Sequence, residues 1–290
     1  MPTRFLRKAQ RYFSSTPFPR SGSTERPPFN PEPSFKFTRS PNPNWKLGQG
    51  LSLEGVGAKE WKEDEEKGWK TWVTDDTPPQ DCYRLLTSAI GPRPIAFVST
   101  LSATGVPNLA PFSYFNMVAH NPPLISIAFT LSTRRPKDTR ENIKATKEFT
   151  VNIISEPFIE AANSCSVESP EDIDEWIVSG LTQIPSTVVK PARVRESAVS
   201  LECELYHFHD ICPPNSAEVT NSLVLGHIKL AHIRNAVLAE DGSTVDPQKL
   251  RPVARFGGMT YARLGEGFEL SRPSWREIRD DVRYLTEKKT

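Results

Sequence analysis

The sequence predicts a mainly β protein: a closed or nearly closed β-barrel with short peripheral helices and a largely irregular N-terminal arm. Three observations carry this. Short β-branched and alternating runs recur at close spacing between about residues 95 and 264, as barrels require. The helix candidates between them are few and short. No GxGxxG follows a strand candidate, so a doubly wound dinucleotide-binding sheet is excluded.

Residues 1–24 carry Arg4, Arg7, Lys8, Arg11 and Arg20 among Ser and Thr, with no acid before Glu25. That is the composition of a mitochondrial transit peptide. Arg11-Tyr12-Phe13-Ser14 resembles the matrix protease cleavage pattern, so the expected location is the mitochondrial matrix, otherwise the cytoplasm. A basic arm without an address is the alternative, because Phe5, Leu6, Ala9, Tyr12 and Phe13 make only a short amphipathic turn.

Residues 25–80 form a Pro-rich and charged arm. From Pro27 to Gly57 the segment is rich in Pro, Asn, Gly and Ser, too polar to offset its ordering entropy by burial. Lys59 to Asp76 is charged but contains Trp61, Trp69 and Trp72. The charges predict a solvated helix face and the tryptophans anchors to the domain surface, with a partner-docking helix as the alternative.

The folded domain is expected over residues 81–273. Ile95 to Thr100 predicts a strand, and Ser102 to Gly105 with Pro107-Asn108 supplies turn chemistry before Leu109, giving a hairpin. Leu124 to Leu131 and Phe149 to Ile154 predict further strands, separated by a helix over Lys137 to Lys147 with Ile143 turned inward. Glu171 to Val178 predicts a second short helix. Leu201, Cys203 and Leu205 alternate with Glu202 and Glu204, the period of a half-buried strand. Leu223 to Ile233 extends as a long strand with a bulge or bend at Gly226. After a turn at Asp241-Gly242, Val253 to Leu264 is the last strand, interrupted at Gly257-Gly258. Residues 274–290 are a charged tail.

A net charge of +1 excludes the basic footprint of a duplex-binding protein. No stretch reaches the roughly 18 apolar residues of a membrane-spanning helix, so a soluble protein is expected. Cys82, Cys165, Cys203 and Cys212 form no CxxC and predict free, mostly buried thiols in a reducing compartment. His207 and His209 share one strand face, which permits a metal site, but no further ligand follows at the right spacing. Strand packing is the better account, and no metal is expected.

A family resemblance enters with the ordered segments Arg93 to Thr100, Pro107 to Asn116, and Asn121-Pro122-Pro123-Leu124. It continues through Lys137-Asp138-Thr139, Asn142-Ile143, Phe149 to Asn152, Gly180-Leu181-Thr182, Leu201 to Cys203, Gly226 to Ile228, and Arg251 to Tyr261. Together these resemble the flavin reductase-like, FMN-binding split-barrel family over roughly residues 82 to 272. The resemblance implies a Greek-key split barrel, an FMN cofactor, and a homodimer with the site at its interface. It also implies an oxidoreductase, with NAD(P)H as electron donor and a monooxygenase as a conceivable partner. A flavoprotein acting directly on a small organic substrate, or a non-enzymatic FMN-binding electron carrier, are the other readings.

The residues support a flavin phosphate, a dianion that needs several donors and a cation. Ser99, Thr100, Ser113 and Asn116 supply short donors in loops after strands. Arg134 and Lys137 supply charge, with Arg135 beside them. Asp138, Thr139 and Asn142 lie where a helix N-terminus favours an anion. By the resemblance, the flavin ring is held around Phe112, Ser113, Tyr114 and Asn116, with Tyr261 near its other edge. Each residue also has a plain structural account, such as capping by Asp138-Thr139, and the cluster as a whole favours a flavin site within Arg93 to Asn142. No catalytic nucleophile or acid–base pair is expected, because hydride passes from nicotinamide to flavin N5. The sequence departs from common family members at Met259-Thr260, in the Asp210 to Asn221 loop and in the N-terminal arm.

Overall fold

The computed structural model describes residues 26–32, 35–51, 54–132, 137–170 and 173–287. The expected transit peptide, residues 1–24, lies outside the described residues. The chain divides into a unit of residues 1–32 and a unit of residues 33–290. In the first unit the described residues form neither helix nor strand.

Within the second unit the arm is more ordered than its composition predicts. Strand β1 (Lys36–Thr38) pairs in parallel with β13 (Glu266–Phe268), so a partner contributed from the far end of the chain supplies its hydrogen bonds. Helix α1 (Ala58–Glu65) is the charged helix, shorter than expected. Its tryptophans do not anchor it: Trp61 and Trp69 are 69% and 93% exposed. The reason is spacing, since α1 offers a single aromatic and no apolar neighbours three or four residues on to make a stripe. Trp72 instead carries the Lys70 ammonium over its ring at 4.3 Å.

Helix α2 (Pro79–Ala89) leads into the main sheet. Seven strands make it: β2 (Ala96–Leu101), β3 (Pro107–Phe112), β4 (Phe115–His120), β5 (Pro123–Thr130), β6 (Glu148–Ile153), β9 (Val199–Ile211) and β10 (Asn221–Ile233). Their order is β3-β2-β6-β9-β10-β5-β4, and every pairing is antiparallel. The two end strands, β3 and β4, are consecutive and joined by the bend at Ser113-Tyr114. The sheet therefore curls until its ends meet, and the Ala128 N–H of β5 donates to the Tyr114 carbonyl at 2.8 Å. Ser102 to Val106 makes the β2–β3 turn, with Gly105 at φ +87° and the Ser102 hydroxyl accepting from the Thr104 and Val106 amides. Pro107 and Asn108, expected in that turn, already belong to β3.

Both faces of β2 are covered, which is why it reads as a continuous apolar run. Ala96 and Val98 join the barrel interior with Ile125, Ile127, Phe129, Ile143, Phe149 and Val224. Ile95 and Phe97 point the other way, into a second cluster with Leu109, Ile154, Phe158, Trp176 and Val194. Each large side chain so buried contributes about 1.5–3 kcal/mol. Helix α3 (Asp138–Thr146) plugs the barrel through Ile143, which is fully buried. Helices α4 (Ile159–Ser164) and α5 (Glu175–Ser179) cover the second cluster.

Gly226 sits at a register shift between β9 and β10, as expected for a bulge. A Cβ there would stand 2.4 Å from the Phe149 ring. Glu202 departs from the predicted alternation: it is fully buried. Its carboxylate accepts the amides of Thr187, Val188 and Val189 at 2.7, 2.6 and 3.2 Å and meets His232 Nε2 at 2.6 Å. Burial raises its pKa, but these hydrogen bonds outweigh it and the carboxyl lies below its ordinary value.

Strands β7 (Gln183–Ile184) and β8 (Arg193–Val194) form a small hairpin beside this loop. After the single helical turn α6 (Pro247–Leu250), β11 (Val253–Arg255) and β12 (Tyr261–Arg263) pair across the Gly257-Gly258 turn. The C-terminal tail, expected to be merely charged, contains helix α7 (Trp275–Glu287). Its half-buried Ile278, Val282 and Leu285 make a stripe at helical spacing, and Leu285 packs onto Gly48 of the arm.

Of the cysteines, Cys165 and Cys203 are buried, Cys82 is half-buried and Cys212 is exposed; all are free thiols. His207 and His209 are exposed on β9 and not packed as expected, because that end of the strand projects beyond the core. Among the described residues no helix is long and apolar enough to cross a membrane, and no group of ligands could hold a metal ion.

Candidate functional site

Asn108 lies on β3, and its buried amide donates to the Thr139 hydroxyl of α3 at 2.8 Å and to the Thr100 hydroxyl of β2 at 3.3 Å. Asn142, one turn further along α3, donates to the same Thr100 hydroxyl at 3.0 Å. These four residues fix the N-terminal turn of α3 against the edge of the sheet. In front of them opens a cleft of about 180 Å³. One wall is β3, through Asn108, Ala110, Pro111 and Phe112. A second is Ser132 with Lys137, Asp138 and Thr139, and the third is Cys165 to Ser169 with Glu175.

Lys137 immediately precedes α3, where the positive end of the helix dipole favours an anion. Its ammonium stands 3.6 Å from the Glu168 carboxylate across the cleft. Phe112 lines the cleft and packs edge-on against Phe129, 4.7 Å between ring centres. Burial pushes the Cys165 thiol up to about 11, and the nearby Glu175 charge adds to the shift, so this cysteine lines the wall as an unreactive thiol.

The structure brings together some of the sequence-predicted residues and separates others. Phe112, Lys137, Asp138 and Thr139 line the cleft, and Thr100 and Asn142 stand behind it. Ser99 and Thr100 lie within β2 and are 1% and 0% exposed, not in a loop as expected, because β2 is flanked on both sides by paired strands. Ser113 and Tyr114 form the bend after β3, outside the cleft lining. Burial, then the neighbouring Tyr83, raises the Tyr114 pKa. Asn116 is exposed on β4, its side chain accepting the Met117 amide at 2.9 Å. Tyr261 lies on β12, with its hydroxyl donating to Asn163 at 2.8 Å and the Arg255 guanidinium 4.4 Å from its ring centre; burial raises its pKa. Arg134, with Arg135, lies outside the described residues.

Sequence reasoning missed the third wall altogether. Asn108, Ala110 and Pro111 sit inside the motif that carried the resemblance, but Glu175 stands in an acidic stretch where nothing in the spacing marks it. The Arg93 side chain, at the start of the expected site segment, is structural: it donates to the carbonyls of Thr87, Ile90 and Phe256.

An antiparallel barrel with a cleft between its edge strand and a helix N-terminus defines this chain as a split-barrel protein. The sequence model of the flavin reductase-like domain matches residues 89–245. A protein of Halalkalibacterium halodurans is 36% identical over 207 residues, 71% of this chain and 98% of the relative. Nitrilotriacetate monooxygenase component B from Bacillus cereus superimposes with a TM-score of 0.67 at 33% identity, covering 70% of this chain and 99% of that one. The 2-nitrobenzoate 2-nitroreductase of Pseudomonas fluorescens gives 0.63 at 30% identity, covering 71% and 98%. The fold is shared with a split-barrel-domain protein of Shewanella frigidimarina, TM-score 0.59 at 22% identity, covering 71% and 99%. This chain belongs to the flavin reductase-like family.

Proposed function

We propose that this chain is an FMN-dependent, NAD(P)H-oxidising flavin reductase that works as a homodimer. The observation that carries the reading is the meeting of Lys137, Thr139 and the opening of α3 at one cleft, beside β3. The donor set suits a phosphate: one ammonium, one hydroxyl and a helix N-terminus converge there. Bound in the cleft, the flavin supplies the hydride-accepting chemistry. The protein's part is to hold and orient. Lys137 and Thr139 anchor the phosphate, while Asn108, Thr100 and Asn142 keep Thr139 in place. Ala110, Pro111 and Phe112 offer an apolar wall that excludes water from the ring.

The test is a visible spectrum of the purified chain followed by anaerobic titration with NADH and with NADPH. A flavin band bleached by either donor is expected. A chain that binds no added FMN, or a flavin band that neither donor bleaches, overturns the reading.

A second reading, direct action on a small organic substrate, is favoured by the likeness to the 2-nitrobenzoate 2-nitroreductase. Flavin that stays bound through gel filtration and is reoxidised by a nitroaromatic would select it. Exchangeable flavin would instead favour supply of reduced flavin to a monooxygenase, in line with the likeness to a monooxygenase component B.

A further inference from the structure

We propose that Glu175 is a positioning residue of the cleft that accepts hydrogen bonds from the hydroxyl groups of the flavin's ribityl chain; this rests on the flavin reading above. Among the described residues two glutamates are buried, in contrasting surroundings. Glu202 has three amides and His232 on its oxygens and Arg193 3.8 Å away. Its acceptor capacity is filled and its charge is countered. Glu175 is 5% exposed, yet among the described residues its carboxylate receives only the Ser169 hydroxyl at 2.5 Å and the Leu109 amide at a long 3.4 Å. Among the described residues no cation lies within ion-pair distance of it.

A carboxylate offers about four acceptor sites, and burying one with sites unfilled is costly. Glu175 lines the cleft, so the remaining sites can be filled from a ligand. The cleft's ammonium, Lys137, forms no ion pair with Glu175 and stands 3.6 Å from the exposed Glu168 carboxylate. The partner of Glu175 must then be a neutral donor, because like charge keeps a phosphate away.

Position selects which donor. Asn108 bonds Thr139 at the phosphate end, and the next residue along β3, Leu109, meets Glu175. Glu175 thus stands beside the phosphate end of the cleft, where the polyol chain joins the phosphate. Three vicinal hydroxyls there supply the donors.

The full-length chain, its Glu175→Ala variant and its Glu175→Gln variant are titrated with FMN, riboflavin and lumiflavin, which keeps the ring and its imide but lacks the ribityl chain. Glu175→Ala is expected to weaken FMN and riboflavin by about tenfold each and to leave lumiflavin unchanged. Glu175→Gln, which retains an oxygen for the Leu109 amide, is expected to give a smaller loss with the same ranking, and it serves alone if the alanine variant does not fold. Equal weakening of all three flavins, or undiminished riboflavin binding, overturns the assignment while leaving the flavin reading intact. A wild-type chain that binds none of the three overturns the flavin reading and the assignment together.

Discussion

The Asn108 amide donates to the Thr139 hydroxyl at 2.8 Å, joining the edge strand of the barrel to the first turn of the helix that faces it. Both residues are buried, 8% and 2% exposed, and the bond sets the spacing of two cleft walls. Asn108→Ala removes it and leaves the Thr139 hydroxyl without this donor, while Thr100 keeps the Asn142 amide at 3.0 Å. A loss of about 1–3 kcal/mol in urea unfolding is expected, together with weaker FMN binding. Unchanged stability and unchanged FMN affinity would show that the bond positions nothing.

Lys137→Ala removes the cation at the start of α3. FMN affinity should fall by roughly tenfold or more, while riboflavin, which has no phosphate, should bind as before. Fluorescence titration of both ligands separates the two outcomes. Raising the salt concentration should weaken FMN in the wild type more than in the variant.

Gly226→Ala places a methyl group into the Phe149 ring, which is fully buried and has nowhere to retreat. Overpacking of this kind costs about 1–3 kcal/mol. A second change, Phe149→Leu, opens that space and should recover part of the loss. A double-mutant cycle by chemical denaturation measures the coupling.

Glu202 gives a pH dependence whose sign follows from its surroundings. Its folded pKa lies below the ordinary value because amide and His232 hydrogen bonds outweigh burial. The stability it contributes is complete above the unfolded carboxyl value of about 4.3. It is lost as pH falls through the lower folded value. Melting temperature followed from neutral to acid pH should drop less steeply in Glu202→Gln than in the wild type. Parallel curves would count against this account.

Thiol chemistry should divide the cysteines by exposure. Burial pushes the Cys165 thiol up to about 11 and raises that of Cys203 as well, so neither forms thiolate at neutral pH. Exposed Cys212 should react first with an aromatic disulfide reagent and half-buried Cys82 more slowly. Cys165 and Cys203 should react only on denaturation. Rapid modification of four thiols in the native protein would contradict the burial.

The barrel was legible because its signals are local. The apolar run of β2, the turn at Ser102 to Gly105 and the inward Ile143 on α3 each follow from side-chain period or turn chemistry. The wall of the cleft made by the opening of α3 was legible for the same reason, since Lys137, Asp138 and Thr139 open one helix in sequence. The third wall was not. Glu175 reaches the cleft only because α5 folds back over β3, a contact between residues 66 positions apart. Glu202 was placed outside by its alternation, yet the loop at Thr187 to Val189 turns three amides onto it and makes its burial possible.

The sequence by itself determined β2, β3, β5, β6, β9 and β10, helix α3 with a lysine directly before its N-terminus, and the turn at Ser102 to Gly105. Those properties depend on a few neighbouring residues and on backbone geometry. Only the tertiary structure decided that β1 finds its partner in β13 at the other end of the chain. It also decided which buried carboxylate is compensated by the protein and which faces the cleft. Each of those depends on partners distant in the chain, brought together when the sheet closes, and no local pattern of residues encodes them.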